Sequence, residues 1–357
     1  MKKKALIAMS GGVDSSVAAY LMKKAGYDCI GVTMRLHHEK EEYDTENSCC
    51  SSRDIEDARA VAEKLEIPYQ VVNFEDDFKE KVIDPFIRSY QAGMTPNPCV
   101  ECNRYLKFEH LFRKGQEWGC DLIVTGHYVR ILEDEQGFHL YKGAEASKDQ
   151  SYVLYSLSKD MLAHTRFPLG AYSKEEIRQI AQEQGFVNAE KEDSQDICFI
   201  PDGDYHAFIE RTTGVRSQAG DFINQQGQIV GRHKGYYCYT IGQRRGLGIS
   251  APKPYYVTEI IPSENKVILG SNDDLFQTDL IAGDFNWIDL PGEDEIVKAR
   301  IRYHQAEKEC RITLLENGRV AVHFLQPQRA ITRGQAVVVY RGDMVLGGGT
   351  IIERSLL

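Results

Sequence analysis

The stretch Met9-Ser10-Gly11-Gly12-Val13-Asp14-Ser15-Ser16 follows the apolar run "ALIA" and precedes the helical pattern "VAAYLMKKAG". Two glycines, an acid and three hydroxyls thus stand where a strand turns into a helix. Such a turn gathers backbone N–H donors and the positive end of a helix dipole at one point, where phosphate oxygens bind. Ser10 and Ser15 can add hydroxyl donors, and Asp14 can hold a magnesium ion. No Gly-Lys-Ser/Thr follows, so the turn is not a Walker A loop, and the G-x-G-x-x-G spacing of a dinucleotide site is missing.

Outward from this turn, short apolar runs alternate with amphipathic ones. "KALIAM", "YDCIGVTMRL", "PYQVVNF" and "CDLIVTGHYVR" read as strands, while "DSSVAAYLMKKAG", "SRDIEDARAVAEKLEI" and "LKFEHLFRKGQEWG" read as helices. Strands separated by helices predict right-handed crossovers and a parallel sheet covered on both faces. Past residue 205 the period changes. "YYCYTIGQRRGLGI", "YYVTEIIPSENKVILG", "VKARIRYH", "ECRITLLENGRVAVHF" and "QAVVVYRGDMVLGGGTII" read as strands, with "CRITLL-ENG-RVAVHF" a hairpin. The acidic Pro-Gly stretch in "TDLIAGDFNWIDLPGEDE" suggests a linker between two small β domains.

The chain has 357 residues, 42% of them hydrophobic, and no apolar run near the ~18 residues of a membrane helix. Its basic N-terminus runs straight into the glycine turn without a signal-peptide core, so a cytoplasmic location and no membrane partner are expected. Nine cysteines, an odd and irregularly spaced set, read as reduced thiols, metal ligands or catalytic groups. The net charge of -10 is uneven: residues 1–200 carry 25 basic and 34 acidic side chains, and the remainder 18 and 19. Val297 to Arg341 holds nine basic residues against three acids, a surplus that either faces a polyanion or is an ordinary solvated surface.

"SGGxDS" at the end of the first strand resembles the PP-loop of ATP pyrophosphatases, which split ATP between the α and β phosphates and transfer AMP to an oxygen. The stretches "GMTPNPCVECNRYLKF", "GHYVR…KGAEASKDQSYVLYSL", "SQDICFIPDGDYHAFI", "GQRRGLGI" and "FLQPQRAITRGQAVVVY" resemble the tRNA-uridine 2-sulfurtransferases, the 2-thiouridylases of the first anticodon position. This likeness runs from residue 5 to about 350. It implies an α/β fold: a PP-loop doubly wound parallel sheet over 1–205, a small β-rich central domain over 206–280, and a C-terminal β-barrel over 281–357 that grips tRNA. The implied activity is ATP-dependent 2-thiolation of the wobble uridine through an adenylated base. ATP and Mg2+ are the implied cofactors, tRNA and a sulfur donor protein or sulfide the partners, and the oligomeric state stays open. Two other readings compete: a PP-loop amide ligase that needs no RNA to release pyrophosphate, and an RNA-binding iron–sulfur sensor that never turns over ATP.

By the same resemblance, Cys102 is the nucleophile position and Cys198 the persulfide carrier, the two closing a disulfide after sulfur transfer. Many family members carry aspartate where this chain has Cys99. Cys99, Cys102 and Cys198 offer three thiolates, enough for three irons of a 4Fe-4S cluster with the fourth left open for sulfide, the reading favoured here over a zinc site or a plain thiol relay. Cys49 and Cys50 form an adjacent pair in a polar loop, and Cys29, Cys120, Cys238 and Cys310 read as packing residues. The resemblance carries Ala8, Met9, Ser10, Gly11, Gly12, Val13, Asp14 and Ser15 onto the ATP phosphates, Met34 onto the adenine and Gly126 onto the nucleotide. It carries Asn97, Pro98 and Cys99 onto the target base, and His127, Lys148, Asp149, Gln150, Arg302, Tyr303 and Gln335 onto the RNA. Arg244 and Arg245 are further candidate phosphate contacts.

Overall fold

A computed structural model describes residues 2–36, 51–192 and 197–354. The N-terminal half is built on a five-stranded sheet: β1 (Lys4–Ala8), β2 (Asp28–Arg35), β3 (Tyr69–Asn73), β4 (Leu122–Val124) and β7 (Thr165–Arg166). All neighbouring pairs run parallel, in the order β3-β2-β1-β4-β7. Side chains alternate faces along a strand, so Ala5 and Ile7 join one core with Val17 and Val124, and Leu6 joins the other with Val32 and Ile123. Both faces are covered by helices, as the near-continuous apolar strands require. The chain first winds from β1 outward to β3 and then returns to place β4 on the other side of β1. That reversal opens a crevice beyond the carboxyl ends of β1 and β4, the place where open α/β sheets bind ligands.

A second sheet of four strands, in the order β10-β11-β8-β9, comprises β8 (Gly220–Asn224), β9 (Ile229–His233), β10 (Tyr256–Ile261) and β11 (Lys266–Gly270). The expected strand in "YYCYTIGQRRGLGI" does not form. Tyr236–Cys238 is a short helical turn, and the chain from Tyr239 to Tyr255 is irregular. Tyr237, Tyr239 and Ile241 are buried at every second position, an alternation that imitates a strand although no partner strand pairs with it.

The third sheet closes into a six-stranded antiparallel barrel. Its strands are β12 (Phe276–Trp287), β13 (Val297–Arg300), β14 (Lys308–Leu314), β15 (Val320–Arg329), β16 (Ala336–Arg341) and β17 (Met344–Glu353). The expected linker in "TDLIAGDFNWIDLPGEDE" is instead β12, a twelve-residue strand that pairs with both β15 and β17 and so closes the barrel. Only its Pro-Gly tail is a loop. The hairpin β5 (Val129–Asp134) and β6 (Gly137–Lys142) leaves the N-terminal half and extends this barrel through β6 and β17. Among the described residues no helix is long and apolar enough to cross a membrane.

Candidate active site

The glycine turn lies at the crevice between β1 and β4. Gly11 has φ +77, and a Cβ there would sit 2.4 Å from the Asp54 carbonyl oxygen, so only glycine fits. Ser10 N–H donates to Ser15 Oγ at 3.1 Å, and Ser15 Oγ donates to the Gly12 carbonyl at 3.0 Å. The Val13–Lys24 helix begins here without a side-chain cap on its first N–H groups. Among the described residues, the backbone N–H groups of Gly12, Val13 and Asp14 meet no protein acceptor. They form a row of donors at the positive end of a helix, suited to an anion. Gly126, past the end of β4, closes the other side: a Cβ on it would lie 2.9 Å from Asp14 C and Ser15 N.

Asp14 does not present an open carboxylate. Lys174 Nζ reaches both of its oxygens, at 2.8 and 2.9 Å, and Tyr128 Oη donates to Oδ1 at 2.7 Å. Asp14, the carboxylate expected to hold magnesium, is thus paired with an ammonium and a phenol in this structure. Beneath the turn, Asn188 Nδ2 donates to the Gly11 carbonyl at 2.8 Å and to Ser16 Oγ at 2.9 Å. Lys191 joins Asp54 and Asp57 at 2.5 and 2.7 Å. Burial works against its ammonium, but those two carboxylates outweigh it and raise the Lys191 pKa. Lys174, Tyr128, Asn188 and Lys191 escaped the sequence reading because they lie 114 to 180 positions from the residues they hold. Met34, at the end of β2, is 8% exposed and packs in the core with Val32 and Leu36.

The cysteine segment follows a loop at Thr95–Asn97 and is helical from 98 to 117, with a wide turn over Cys102–Leu111. Asn97 caps it, its Oδ1 accepting from Cys99 N–H at 3.2 Å, and Pro98 occupies the first helical position, where no N–H is missed. Cys99 is exposed; Cys102 and Cys198 are half-buried, and both pack against the same hydrophobic core. Burial first, then Asp149, raises the Tyr303 pKa, and the nearby Cys99 adds to the rise. Among the described residues, no three His, Cys, Asp or Glu side chains are grouped to hold a metal ion. Burial pushes the Cys29 and Cys238 thiols up to about 11 and Cys310 to about 12, so these three stay protonated at neutral pH. Cys49 and Cys50 lie outside the described residues.

Comparison with known proteins places this geometry. The tRNA methyl transferase HUP domain family matches residues 3–202, its PRC-barrel domain 206–271, and the aminomethyltransferase beta-barrel domain 277–351. The tRNA-specific 2-thiouridylase MnmA of Clostridium botulinum (strain Eklund 17B / Type B) is 50% identical over 353 residues, 98% of each chain. That of Clostridioides difficile (strain 630) is 48% identical over 360 residues, 100% of this chain and 99% of the other. This chain belongs to the tRNA-specific 2-thiouridylases. A solved 4-thiouridine synthetase in complex with RNA and ATP is 19% identical with a TM-score of 0.39, covering 59% of this chain and 50% of the other.

In this thiouridylase the residues expected to face RNA make internal contacts. Gln150 accepts from Tyr128 N–H at 2.9 Å and donates its own N–H to the Tyr128 carbonyl at 3.2 Å, which ties the "KDQ" turn to the residue holding Asp14. Asp149 is buried and accepts from Gly143 N–H, Ser151 N–H and Ser151 Oγ, while its carbonyl receives Tyr303 Oη at 3.2 Å. Lys148 donates its N–H to the Glu145 carbonyl within the same turn. Arg302 donates to the carbonyls of Ile241 and Ala330 and to Thr332 Oγ1, and burial lowers its pKa. His127 bonds Thr125 Oγ1 at 2.6 Å and packs against Phe108 and Phe167. Burial, then Lys107, holds its pKa well below 6.5, so it is neutral at physiological pH. Gln335 donates to the Thr95 carbonyl at 2.8 Å. Three of the nine basic residues in Val297–Arg341 meet carboxylates: Arg300 meets Glu307 and Asp149 in a part-buried cluster, while Arg341 with Glu295 and Arg319 with Glu353 pair at the surface.

Proposed function

We propose that this thiouridylase converts the wobble uridine of tRNA to 2-thiouridine in two stages, activation of O2 by ATP and delivery of sulfur by a cysteine relay. The observation that carries the reading is the donor row of Gly12, Val13 and Asp14 at the switch point of a parallel sheet. These N–H groups cradle the pyrophosphate of ATP, with magnesium entering as part of the nucleotide substrate. Lys174, fixed against Asp14, cancels the carboxylate charge that would otherwise repel the phosphates. Uracil O2 attacks the α phosphate and pyrophosphate leaves, so that C2 carries AMP as a leaving group. The base reaches this pocket by leaving its stack in the anticodon loop, where bases are already unpaired.

The terminal sulfur of a Cys198 persulfide then attacks C2 and AMP departs with the former O2. Cys102 thiolate attacks Sγ of Cys198, which frees 2-thiouridine and leaves a Cys102–Cys198 disulfide for an external thiol to reduce. The relay draws support from the half-buried setting of both side chains, each packed against the same hydrophobic core. Asn97 and Pro98 shape the entrance for the base, and the reaction takes place in the cytoplasm, where a thiol pool resets the disulfide.

The test is reconstitution with ATP, magnesium, a persulfide donor and unmodified tRNA, followed by nucleoside mass analysis. The expected product is 2-thiouridine, with one AMP per thiolated base and an oxygen-isotope label from uracil O2 recovered in AMP. Cys102→Ser and Cys198→Ser abolish the product; Cys99→Ser retains activity in iron-free protein. ATP cleavage without RNA and without thiolated nucleoside would overturn the reading in favour of a small-molecule ligase. Activity that tracks iron content and vanishes in Cys99→Ser would replace the relay with a cluster.

A further inference from the structure

The barrel grips the cysteine segment from both ends. At its N-terminal end, Gln335 Nε2 donates to the Thr95 carbonyl at 2.8 Å and reaches the Pro96 carbonyl at 3.4 Å. Thr95 N–H donates in return to the Arg333 carbonyl at 2.9 Å. Gly334 between them has φ +88, and a Cβ on it would lie 3.0 Å from Thr95 N and O, so the two loops touch backbone to backbone. The barrel turn is itself fixed to β17, since Gly334 N–H donates to the Ile351 carbonyl and Ile351 N–H donates to the Gln335 carbonyl.

Past the cysteines, Arg104 makes a forked ion pair with Asp284 of β12, its second nitrogen at 3.3 Å from Oδ1. Asp284 stands at φ +46 beside a register shift in β12, a conformation that an L residue adopts at a cost. A third strut runs through the middle. Asn103, next to Cys102 and buried, donates to the Val153 carbonyl at 3.0 Å, and neighbouring Tyr152 Oη donates to the Ala336 carbonyl at 2.8 Å.

We infer that Gln335 and Asp284 are positioning residues through which the C-terminal barrel sets the Asn97–Cys102 segment for sulfur transfer. The inference rests on the proposed role of Cys102 as the resolving thiol. Neither side chain needs to meet the uridine. Each holds one flank of the Asn97–Cys102 segment, whose Cys102 thiolate must meet Sγ of Cys198 within a few tenths of an ångström. Displacement of a reacting group by about 1 Å costs on the order of a hundredfold in rate.

Gln335→Met keeps the length of the side chain and removes its donor; Asp284→Asn keeps the shape and removes the charge. Single-turnover thiolation is measured at saturating tRNA, together with tRNA and ATP dissociation constants, thermal midpoint, and the rates at which iodoacetamide alkylates Cys99 and Cys102. The expected result is a saturating rate reduced about tenfold or more in each variant, by the same misplacement argument. Dissociation constants stay within about twofold and the alkylation rates change. The exchanged pair Arg104→Asp with Asp284→Arg recovers rate relative to either single change, and this readout stands if Gln335→Met fails to fold. An unchanged saturating rate overturns the inference, and so does a loss confined to tRNA affinity, which would make Gln335 an RNA contact. If wild type forms no 2-thiouridine, the thiouridylase chemistry proposed above fails instead, whatever the alkylation rates show.

Discussion

At Gly11 the backbone leaves no room for choice. Its φ of +77 and the 2.4 Å approach of the Asp54 carbonyl to the missing Cβ make Gly11→Ala a double penalty. The left-handed conformation alone costs an L residue about 1–2 kcal/mol. The expected outcome is a lower thermal midpoint and weakened ATP binding, read by calorimetry; unchanged binding would show that the turn does not hold the nucleotide. Lys174 is a second single-residue case. Lys174→Met leaves the Asp14 carboxylate at a helix N-terminus without its ammonium, where its charge repels phosphate. A hydrogen bond to a charged group contributes roughly 1.5–3 kcal/mol, and each 1.4 kcal/mol is about tenfold. ATP affinity is therefore expected to fall by about tenfold to a hundredfold. An affinity within twofold of wild type would remove Lys174 from the site. Asp14 was legible in the sequence as a polar group at the turn; its partner was not, because nothing local links positions 14 and 174.

The loop between β12 and β13 is held by Arg341, whose guanidinium meets Glu295 at 2.6 and 2.7 Å. The hydrogen bond to Arg341 holds the Glu295 carboxyl down at about 2, below its ordinary 4.5. A depressed carboxylate stabilises the fold fully above pH 4.5, and that contribution is lost as pH falls toward 2. The effect is modest because the pair is partly exposed. Glu295→Gln should therefore melt lower than wild type at pH 6, with the gap closing as pH drops to about 2. Parallel curves across that range would reject the assignment. Element by element, the parallel sheet was readable because its strands are apolar runs bounded by amphipathic helices. The β12 strand was not: its Asp279 and Asp284 look like loop residues, and only closure against both β15 and β17 explains them. Conversely, Tyr237, Tyr239 and Ile241 alternate like a strand and pack without one.

For the molecule as a whole, an acidic protein must bind a polyanion, and the net charge of -10 opposes that encounter. In Val297–Arg341, where the sequence shows a basic surplus, Arg300, Arg319 and Arg341 meet Glu307, Asp149, Glu353 and Glu295, pairings that are invisible before folding. Exposed cations remain on the irregular loop of the central sheet. Arg244 and Lys253 line a cleft of about 640 Å³ with Tyr255, and its lining carries no carboxylate among the described residues. Arg245 is exposed beside it. Phosphates of tRNA displace counterions when they meet such groups, so affinity falls with salt in proportion to the number of contacts. The expected outcome for Arg244→Ala with Lys253→Ala is weaker tRNA binding at low salt. The slope of log affinity against log salt should become shallower by roughly 0.7 to 0.9 per contact removed. Lys266→Ala serves as the control, since Lys266 lies on β11 and pairs with Glu264 at 2.6 Å. Its slope should match wild type. Superimposable salt plots for all three proteins would mean that the RNA does not cross this cleft.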